Sequence, residues 1–144
     1  MEQDELLKLD NQLCFALYST HLAFNHKYRK LLAPLGITYP QYLVMLVLWE
    51  QDHITVSNIG QRLFLESSTL TPMLKRLEKM QFIKRQRSEQ DERQVIISLT
   101  EQGIALKQQV ATIPETIRGA SHCDLQTLMG LRQQLHALRE TLMK

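Results

Sequence analysis

The sequence predicts a mainly α-helical chain in which a helix-turn-helix is followed by a two-stranded β-hairpin wing and flanked by long N- and C-terminal helices. Three observations lead to this prediction. Apolar residues recur every three or four positions over most of the chain, the pattern changes to alternation near residue 95, and a charged polar segment precedes that alternation. With 144 residues, the chain has the length of one domain or of one protomer in an assembly.

The first two helices are expected to occupy the N-terminal third of the chain. Over residues 6–31, leucines and aromatic residues spaced three or four apart form the stripe of one long amphipathic helix, which Pro34 and Gly36 end. Thr38, with Gln41 three residues later, is a capping-box start for the next helix. That helix is apolar nearly all round, so we expect it in the core.

The helix-turn-helix itself is expected from two shorter helices. Thr55 caps the first, and Ser67 or Ser68 is the expected cap of the second. Pro72 is tolerated in the second helix because it lies in or near the first turn.

The C-terminal half is expected to begin with the hairpin and to end with two helices. Alternating residues 95–99 form one strand, residues 82–85 the other, and the polar residues 87–92 the loop between them. A helix follows from Thr100 to about Thr112, and Pro114 then breaks or kinks it. The last helix carries a heptad seam of leucines: Leu128, Leu131, Leu135, Leu138 and Leu142.

Charge is concentrated on the second helix of the helix-turn-helix and the strand after it. The whole chain has a formal net charge of +2, yet six cations and one acid lie between Lys75 and Arg87. An isolated charge run is usually a solvated face, but here a two-helix unit precedes it and a hairpin follows it. A helix start with hydroxyls suits phosphates and base edges, and a hairpin arginine suits a minor groove. The candidate DNA-binding residues are Ser67, Ser68, Thr69, Thr71, Lys75, Arg76, Arg85, Arg87, Asp91 and Arg93.

Several classes of protein are excluded by composition. Two cysteines do not make a secreted disulfide scaffold, and the acidic N-terminus is unlike a signal peptide, so a cytoplasmic, reducing location is expected. The longest apolar run is too short to span a bilayer, and no membrane partner is expected. The five histidines lack metal-ligand spacing, and no Gly-rich phosphate loop is present, so neither a metal nor another cofactor is expected.

Cys14 is the first candidate for chemistry. A buried, inert thiol is the ordinary interpretation of a cysteine beside an apolar stripe. Tyr18, however, lies four residues further along the same predicted helix face, within side-chain reach. Tyr28 and Tyr39 follow in a chain with only four tyrosines. Phenols donate hydrogen bonds to a thiolate without adding charge, although they also serve as ordinary core aromatics.

The wing and the helix before it resemble a known family. Asp91-Glu92-Arg93 followed by ISLTEQG, and preceded by TLTPMLKRLEKM, is similar to the winged-helix core of the MarR family of bacterial transcription regulators. The resemblance covers essentially the whole chain and implies a homodimeric repressor that binds double-stranded DNA at a pseudo-palindromic operator. One departure is Gln81, where these proteins usually carry glycine after the recognition helix.

The cysteine segment resembles the organic-hydroperoxide-sensing OhrR branch of that family. The resemblance implies that Cys14 is the peroxide-reactive thiol and that Tyr18, Tyr28 and Tyr39 hydrogen-bond to it, some of them across the dimer interface. In some members a second cysteine near the C-terminal helices resolves the oxidised form as an intersubunit disulfide, whereas others use a small thiol. Cys123 lies in the right region for this role, and a spectator cysteine would look the same.

Residues 1–144 form one MarR-type protomer, with dimerisation helices at 1–33 and 113–144 and the winged helix-turn-helix at 38–112. Oxidation of the dimer by an organic hydroperoxide is expected to release DNA and derepress a peroxide-detoxification gene. A regulator released by a non-covalently bound aromatic ligand is one alternative. A thiol peroxidase enzyme is another, but it has no need of the wing or the basic helix.

Overall fold

The computed structural model describes residues 2–144 and divides into two compact units, one running to Ala111 and the other from Thr112 to Lys144. The first unit contains helices α1 (Gln3–Leu6), α2 (Leu13–Leu32), α3 (Tyr39–Glu50), α4 (Val56–Leu63), α5 (Ser67–Lys79) and α6 (Glu101–Gln109), and strands β1 (Ile54–Thr55), β2 (Ile83–Arg87) and β3 (Val95–Leu99). The second unit contains helices α7 (Ile113–Ser121) and α8 (Leu125–Leu142). This order confirms the expected mainly helical winged helix-turn-helix.

The hairpin is part of a three-stranded antiparallel sheet in the order β1-β3-β2. Strand β1 was not expected, because two residues are too few to show an alternating pattern. Strand β2 runs to Arg87, so the loop covers residues 88–94 and not 87–92. Thr55 serves two elements at once, since it pairs with Ile96 in the sheet and its Oγ1 accepts a hydrogen bond from Asn58 N at 3.1 Å to cap α4.

The N-terminal helix is interrupted, and the expectation of one helix over residues 6–31 was wrong. A short 3₁₀ turn, Leu9–Asn11, separates α1 from α2. Asn11 Nδ2 donates to the Glu5 carbonyl at 2.7 Å, and Gln12 Nε2 donates to the Leu6 carbonyl at 2.6 Å. Polar side chains that bond the backbone locally compete with the helical ladder, which explains why the apolar stripe is divided between two helices.

Helix α3 lies in the core of the first unit, as expected. Its capping box is present, with Thr38 N donating to Gln41 Oε1 at 2.9 Å and Gln41 N donating to Thr38 Oγ1 at 3.3 Å. Side chains on most of its circumference are buried: Tyr42, Val44, Met45, Val47 and Leu48. Helix α5 buries Leu70, Leu74 and Leu77, whose spacing of three and four residues leaves the opposite face of the helix to solvent.

Helix α5 begins differently from the expectation. Its N-cap is Glu66, with no side-chain cap, so the prediction of Ser67 or Ser68 at this position was wrong. Pro72 is the sixth residue of α5, past the first turn. The hydroxyl of Thr71 bonds back to the Ser67 carbonyl at 2.8 Å. The first N–H groups of α5 therefore lack a side-chain acceptor and can bind an external one.

The turn after α5 is left-handed at Gln81, which has φ +69°. This is the backbone conformation for which glycine is usual at a helix end, so the strain expected of this departure is present. Thr100 holds the turn in place: its Oγ1 donates to the Gln81 carbonyl at 2.5 Å, and its N donates to the Phe82 carbonyl at 3.1 Å. The same Oγ1 accepts from Gly103 N at 3.0 Å and caps α6.

The C-terminal unit has one more helix than expected. Pro114 does not break a helix but lies in the first turn of α7, a position where its fixed φ favours a helix start. No residue of α8 is buried in the protomer, and its heptad leucines are half-buried or exposed. Within residues 2–144, no single helix is long and apolar enough to cross a membrane; α2 and α3 pass that test only jointly, across a 73° bend.

Candidate redox site and nucleic-acid interface

The exposed face of α5 carries half of the ten expected DNA-binding residues. Ser67, Ser68 and Thr69 are exposed in its first turn, and Lys75 and Arg76 are exposed further along. These positions share a helix whose buried leucines face the other way. Short hydroxyls and a helix start without a side-chain cap at one end, and two cations further on, suit a phosphate backbone and base edges.

The tip of the wing is organised by its own hydrogen bonds. Ser88 Oγ accepts from the N–H groups of Gln90 and Asp91 at 3.2 and 3.3 Å. Arg87 Nη1 donates to the Glu92 carbonyl at 2.7 Å. The Asp91 carboxylate accepts from the backbone N–H of Arg93 at 3.1 Å, so it fixes the backbone of Arg93 and leaves the exposed guanidinium available to a ligand.

Arg85 is held within the protein. Its backbone N donates to Glu78 Oε2 at 2.9 Å and its Nε donates to Glu78 Oε1 at 3.2 Å, with both side chains about one-third exposed. Sequence reasoning placed Arg85 among the DNA contacts. The structure gives this side chain a partner in α5. Its Nε is bound to Glu78, and its Nη1 and Nη2 are the atoms that remain available to a phosphate.

Cys14 is an exposed, free thiol in the first turn of α2. The exposed large apolar residues around it on α2 include Leu13, Phe15 and Leu17. Tyr18, one turn further along, is 60% exposed. This end of α2 therefore presents a thiol within an apolar surface, with a phenol close by along the helix.

Three tyrosines form a cluster at the other end of α2. The rings of Tyr28 and Tyr39 have centroids 4.5 Å apart, and the ring of Tyr42 lies 5.8 Å from Tyr28 and 6.2 Å from Tyr39. The ring of His21 meets Tyr39 edge-on at 6.2 Å. Sequence reasoning missed Tyr42 and grouped Tyr18 with the others. The spacing of three residues between Tyr39 and Tyr42 on one helix was the signal that could have found it.

The cluster keeps its phenols protonated. Burial raises the pKa of Tyr28 to about 12, with a further contribution from Tyr39 and Tyr42. Burial also raises the pKa of Tyr39 and, together with the influence of Tyr39, that of Tyr42. Desolvation disfavours the charged phenolate, so at neutral pH these groups are O–H donors that can stabilise an anion.

These shifts predict a loss of stability in alkali. The folded-state pKa of Tyr28 is raised above its unfolded value, so its contribution is fully present below pH 10 and is lost as the pH rises from about 10 to about 12. We expect the free energy of unfolding, measured in urea, to fall across this window. Tyr28→Phe should flatten the fall, whereas an unchanged slope in this variant would contradict the prediction.

Cys14 and the tyrosine cluster do not meet within one protomer. Tyr28 follows Cys14 by 14 residues in the same helix. A rise of 1.5 Å per residue separates their Cα atoms by about 21 Å. The expected grouping of Cys14 with Tyr28 and Tyr39 is thus not assembled from one chain.

Cys123 follows the end of α7 in the C-terminal unit. It is a half-buried, free thiol, and its Sγ lies 3.5 Å from the Ser121 carbonyl in position to donate S–H to it. Its backbone N donates to Ser121 Oγ at 3.2 Å. His122 before it is left-handed, with φ +55°, and ends α7. The thiol is therefore held at the start of the segment that leads into α8.

A cleft in the first unit lies beside the tyrosine cluster. It has a volume of about 280 Å³ and is lined by Asn25, Arg29, Ala33, Ile37, Thr38, Tyr39 and Pro40. Cys14 does not line it. Among the described residues, no group of three or more histidine, cysteine and acidic side chains is arranged to hold a metal ion.

Comparisons with known proteins agree with this geometry. A family model for the transcriptional regulator SarA/Rot matches residues 26–110, more than half of the chain. An organic hydroperoxide resistance transcriptional regulator of Bacillus subtilis (strain 168) is 51% identical over 136 residues, covering 94% of this chain and 92% of that protein. A solved structure of reduced AbfR bound to DNA has 40% identity and a TM-score of 0.79, with 99% and 100% of the two chains covered.

A second AbfR structure, of the disulfide form, has 42% identity and a TM-score of 0.63 and covers 97% and 93% of the two chains. AbfR is a protein of Staphylococcus epidermidis. These relatives are transcription regulators, which confirms the expectation of a regulator over a thiol peroxidase. The chain belongs to the MarR family of winged helix-turn-helix transcription regulators, within the branch of the organic hydroperoxide resistance regulators.

Proposed function

We propose that this protein is a cytoplasmic, homodimeric repressor that leaves its operator when an organic hydroperoxide oxidises Cys14. One observation carries the proposal. The exposed thiol of Cys14 lies at one end of α2 and the cluster of protonated phenols lies at the other, and the helix between them has exposed apolar side chains. Peroxide sensing needs both groups at one place. A two-fold partner can bring them together.

The exposed apolar surface supports this dimer. Helix α2 has 20 residues, of which only Leu32 is buried, while Leu13, Leu17 and Phe24, which share one face of the helix, are among its exposed large apolar side chains. A monomer rarely leaves so continuous an apolar stripe in water. If α2 packs antiparallel to the α2 of a second copy, Cys14 of each protomer lies beside the tyrosine cluster of the other. The leucine seam of α8, none of whose residues is buried in the protomer, is a further surface suited to pairing with a second copy.

Oxidation of Cys14 by a hydroperoxide needs no cofactor. The Cys14 thiolate attacks the terminal oxygen of the hydroperoxide and the O–O bond breaks. Cys14 becomes a sulfenic acid, and the leaving alkoxide takes a proton to become the alcohol. Phenol O–H groups stabilise the thiolate and the developing alkoxide. The partner's Cys123 then attacks the sulfenic sulfur, forming a disulfide and releasing water. Apolar surroundings favour alkyl or lipid hydroperoxides over hydrogen peroxide.

Operator binding uses the two protomers together. Each α5 enters a major groove and each wing places Arg93 in the adjacent minor groove, so a two-fold dimer binds a pseudo-palindrome with half-sites about 34–36 Å apart or a multiple of this distance. A disulfide between the protomers shifts the interface helices and changes the spacing of the two α5 helices. Oxidation thereby releases DNA and derepresses a peroxide-detoxification gene.

A mixed dimer tests the shared site. One protomer carries Cys14→Ser and the other Tyr28→Phe, so the remaining thiol faces an intact Tyr28 across the interface. With cumene hydroperoxide, we expect the Tyr28→Phe homodimer to form sulfenic acid at least about tenfold more slowly than the wild type. The mixed dimer should recover the wild-type rate per remaining Cys14. Mass spectrometry measures this rate, and a mixed dimer as slow as Tyr28→Phe would place the tyrosine in the same protomer as its thiol.

A second candidate function rests on the cleft beside Tyr39. Its volume of about 280 Å³ is near the lower end of small-molecule sites, and Arg29 and Tyr39 in its lining suit an aromatic ligand with an acidic group. A regulator released by such a ligand has no need of Cys14. Release of DNA by salicylate that persists in Cys14→Ala would favour this candidate.

A further inference from the structure

Glu78 is an acid in the middle of the basic segment, between Lys75 and Arg87. It lies in the last turns of α5, and both of its carboxylate oxygens accept hydrogen bonds from Arg85 in β2. One comes from the backbone N at 2.9 Å and one from Nε at 3.2 Å. A single side chain therefore joins the C-terminal part of α5 to the middle of the first wing strand.

The backbone contact lies on the open edge of the sheet. Strand β2 is an edge strand, because the order is β1-β3-β2. Phe82 and Ser88 are hydrogen-bonded to the opposite side of the hairpin, since Thr100 N donates to the Phe82 carbonyl and Ser88 N donates to the Gln94 carbonyl. Arg85 is separated from each of them by an odd number of residues. The alternation of an antiparallel ladder turns the N–H of Arg85 away from β3. Glu78 thus binds an edge N–H that the sheet leaves unpaired.

We propose that Glu78 is a positioning residue that sets the angle between α5 and the wing, and that operator specificity depends on it. This inference rests on the proposed operator binding by α5 and the wing. The carboxylate has two effects of opposite sign. Its charge repels DNA phosphates, which weakens binding to any duplex. Its two hydrogen bonds hold the wing where α5 and the wing tip reach their grooves together, which strengthens binding to the operator alone.

Two duplexes test the proposal. One is selected by the wild-type protein from a random pseudo-palindromic library, and the other is a scrambled duplex of the same length and composition. For Glu78→Ala, we expect affinity for the selected duplex to fall about tenfold and affinity for the scrambled duplex to rise roughly two- to threefold. Glu78→Gln keeps an acceptor for the Arg85 N–H and should lie between Glu78→Ala and the wild type on the selected duplex.

Glu89→Gln is the matched control. Glu89 is an exposed acid in the wing loop, and no hydrogen bond or ion pair of its side chain is found among the described residues. Removing its charge should raise affinity for both duplexes by a similar factor and leave their ratio unchanged. Repeating the selection with Glu78→Ala should show relaxed base preference at the outer operator positions, next to the wing, with the inner positions unchanged.

The outcomes separate the possible failures. A wild-type protein that selects no sequence would overturn the proposed function. If the wild type is selective and Glu78→Ala behaves as Glu89→Gln does, the positioning role is wrong. Equal weakening on both duplexes, with a lowered melting temperature, would show that Glu78 acts only through stability, and this too would overturn the inference.

Discussion

Replacing Cys14 by serine should leave the repressor bound to its operator in the presence of an organic hydroperoxide. Serine has nearly the same size, so the exposed first turn of α2 and the DNA-binding surface should keep their structure. Its hydroxyl is not a nucleophile for the O–O bond at neutral pH, whereas a thiolate is. In an electrophoretic mobility assay with one equivalent of cumene hydroperoxide, we expect release of the wild type and none of the variant.

The second cysteine supplies the control for this experiment. Cys123→Ser should still form the Cys14 sulfenic acid, seen as a gain of one oxygen by mass spectrometry, but no crosslinked dimer on non-reducing gels. Among residues 2–144, the hydrogen bonds of Cys123 are to Ser121 in its own turn, so the substitution should disturb little else. If Cys14→Ser leaves the operator at the peroxide dose that releases the wild type, Cys14 is not the peroxide-sensing residue.

The elements of the winged helix-turn-helix could be predicted because local chemistry determines them. The capping box of Thr38 and Gln41, the cap at Thr100 and the alternation of Val95–Leu99 each depend on residues close in sequence. The break between α1 and α2 was missed, since Asn11 and Gln12 each bond a backbone carbonyl six residues away, and periodicity does not register such contacts.

The site was harder to predict because its groups belong to different elements. Tyr42 joins Tyr28 only when α2 and α3 pack together, and Glu78 meets Arg85 only when the hairpin folds back to α5. Residue types suggested Cys14 and three of the tyrosines as candidates for the site. The predicted helix over residues 6–31 contains both Cys14 and Tyr28, and its rise per residue gives the separation of about 21 Å on which the proposal of a shared site depends.

The segment LTEQG, part of the pattern that suggested the family, has a structural explanation. A Cβ atom at Gly103 would lie 2.1 Å from the Phe82 carbonyl oxygen and 3.2 Å from Leu99 Cδ2. The Phe82 carbonyl is fixed by Thr100 N, and the Gly103 carbonyl accepts from Trp49 Nε1 at 2.9 Å. The backbone of Phe82 therefore lies directly against Gly103, and α6 packs on the turn that follows α5 at a distance that only glycine permits.

Gly103→Ala should accordingly be strongly destabilising. The new methyl group cannot be accommodated by rotating a side chain, because the nearest atom belongs to the backbone. We expect a loss of about 3 kcal/mol or more in the free energy of unfolding, and a fall of roughly 6–12 °C in Tm at matched protein concentration.

Gly119→Ala in α7 is the matched control. Gly119 is also helical, but no described atom lies within 4 Å of the position of its added Cβ. Alanine restricts the unfolded chain and favours the helix, so this variant should gain about 0.5–1 kcal/mol. Opposite signs for the two glycines would establish that close backbone contact, and not helix propensity, requires Gly103. A Gly103→Ala protein as stable as Gly119→Ala would show that the Phe82 turn yields easily, and the coupling of α6 to the end of α5 would then be loose.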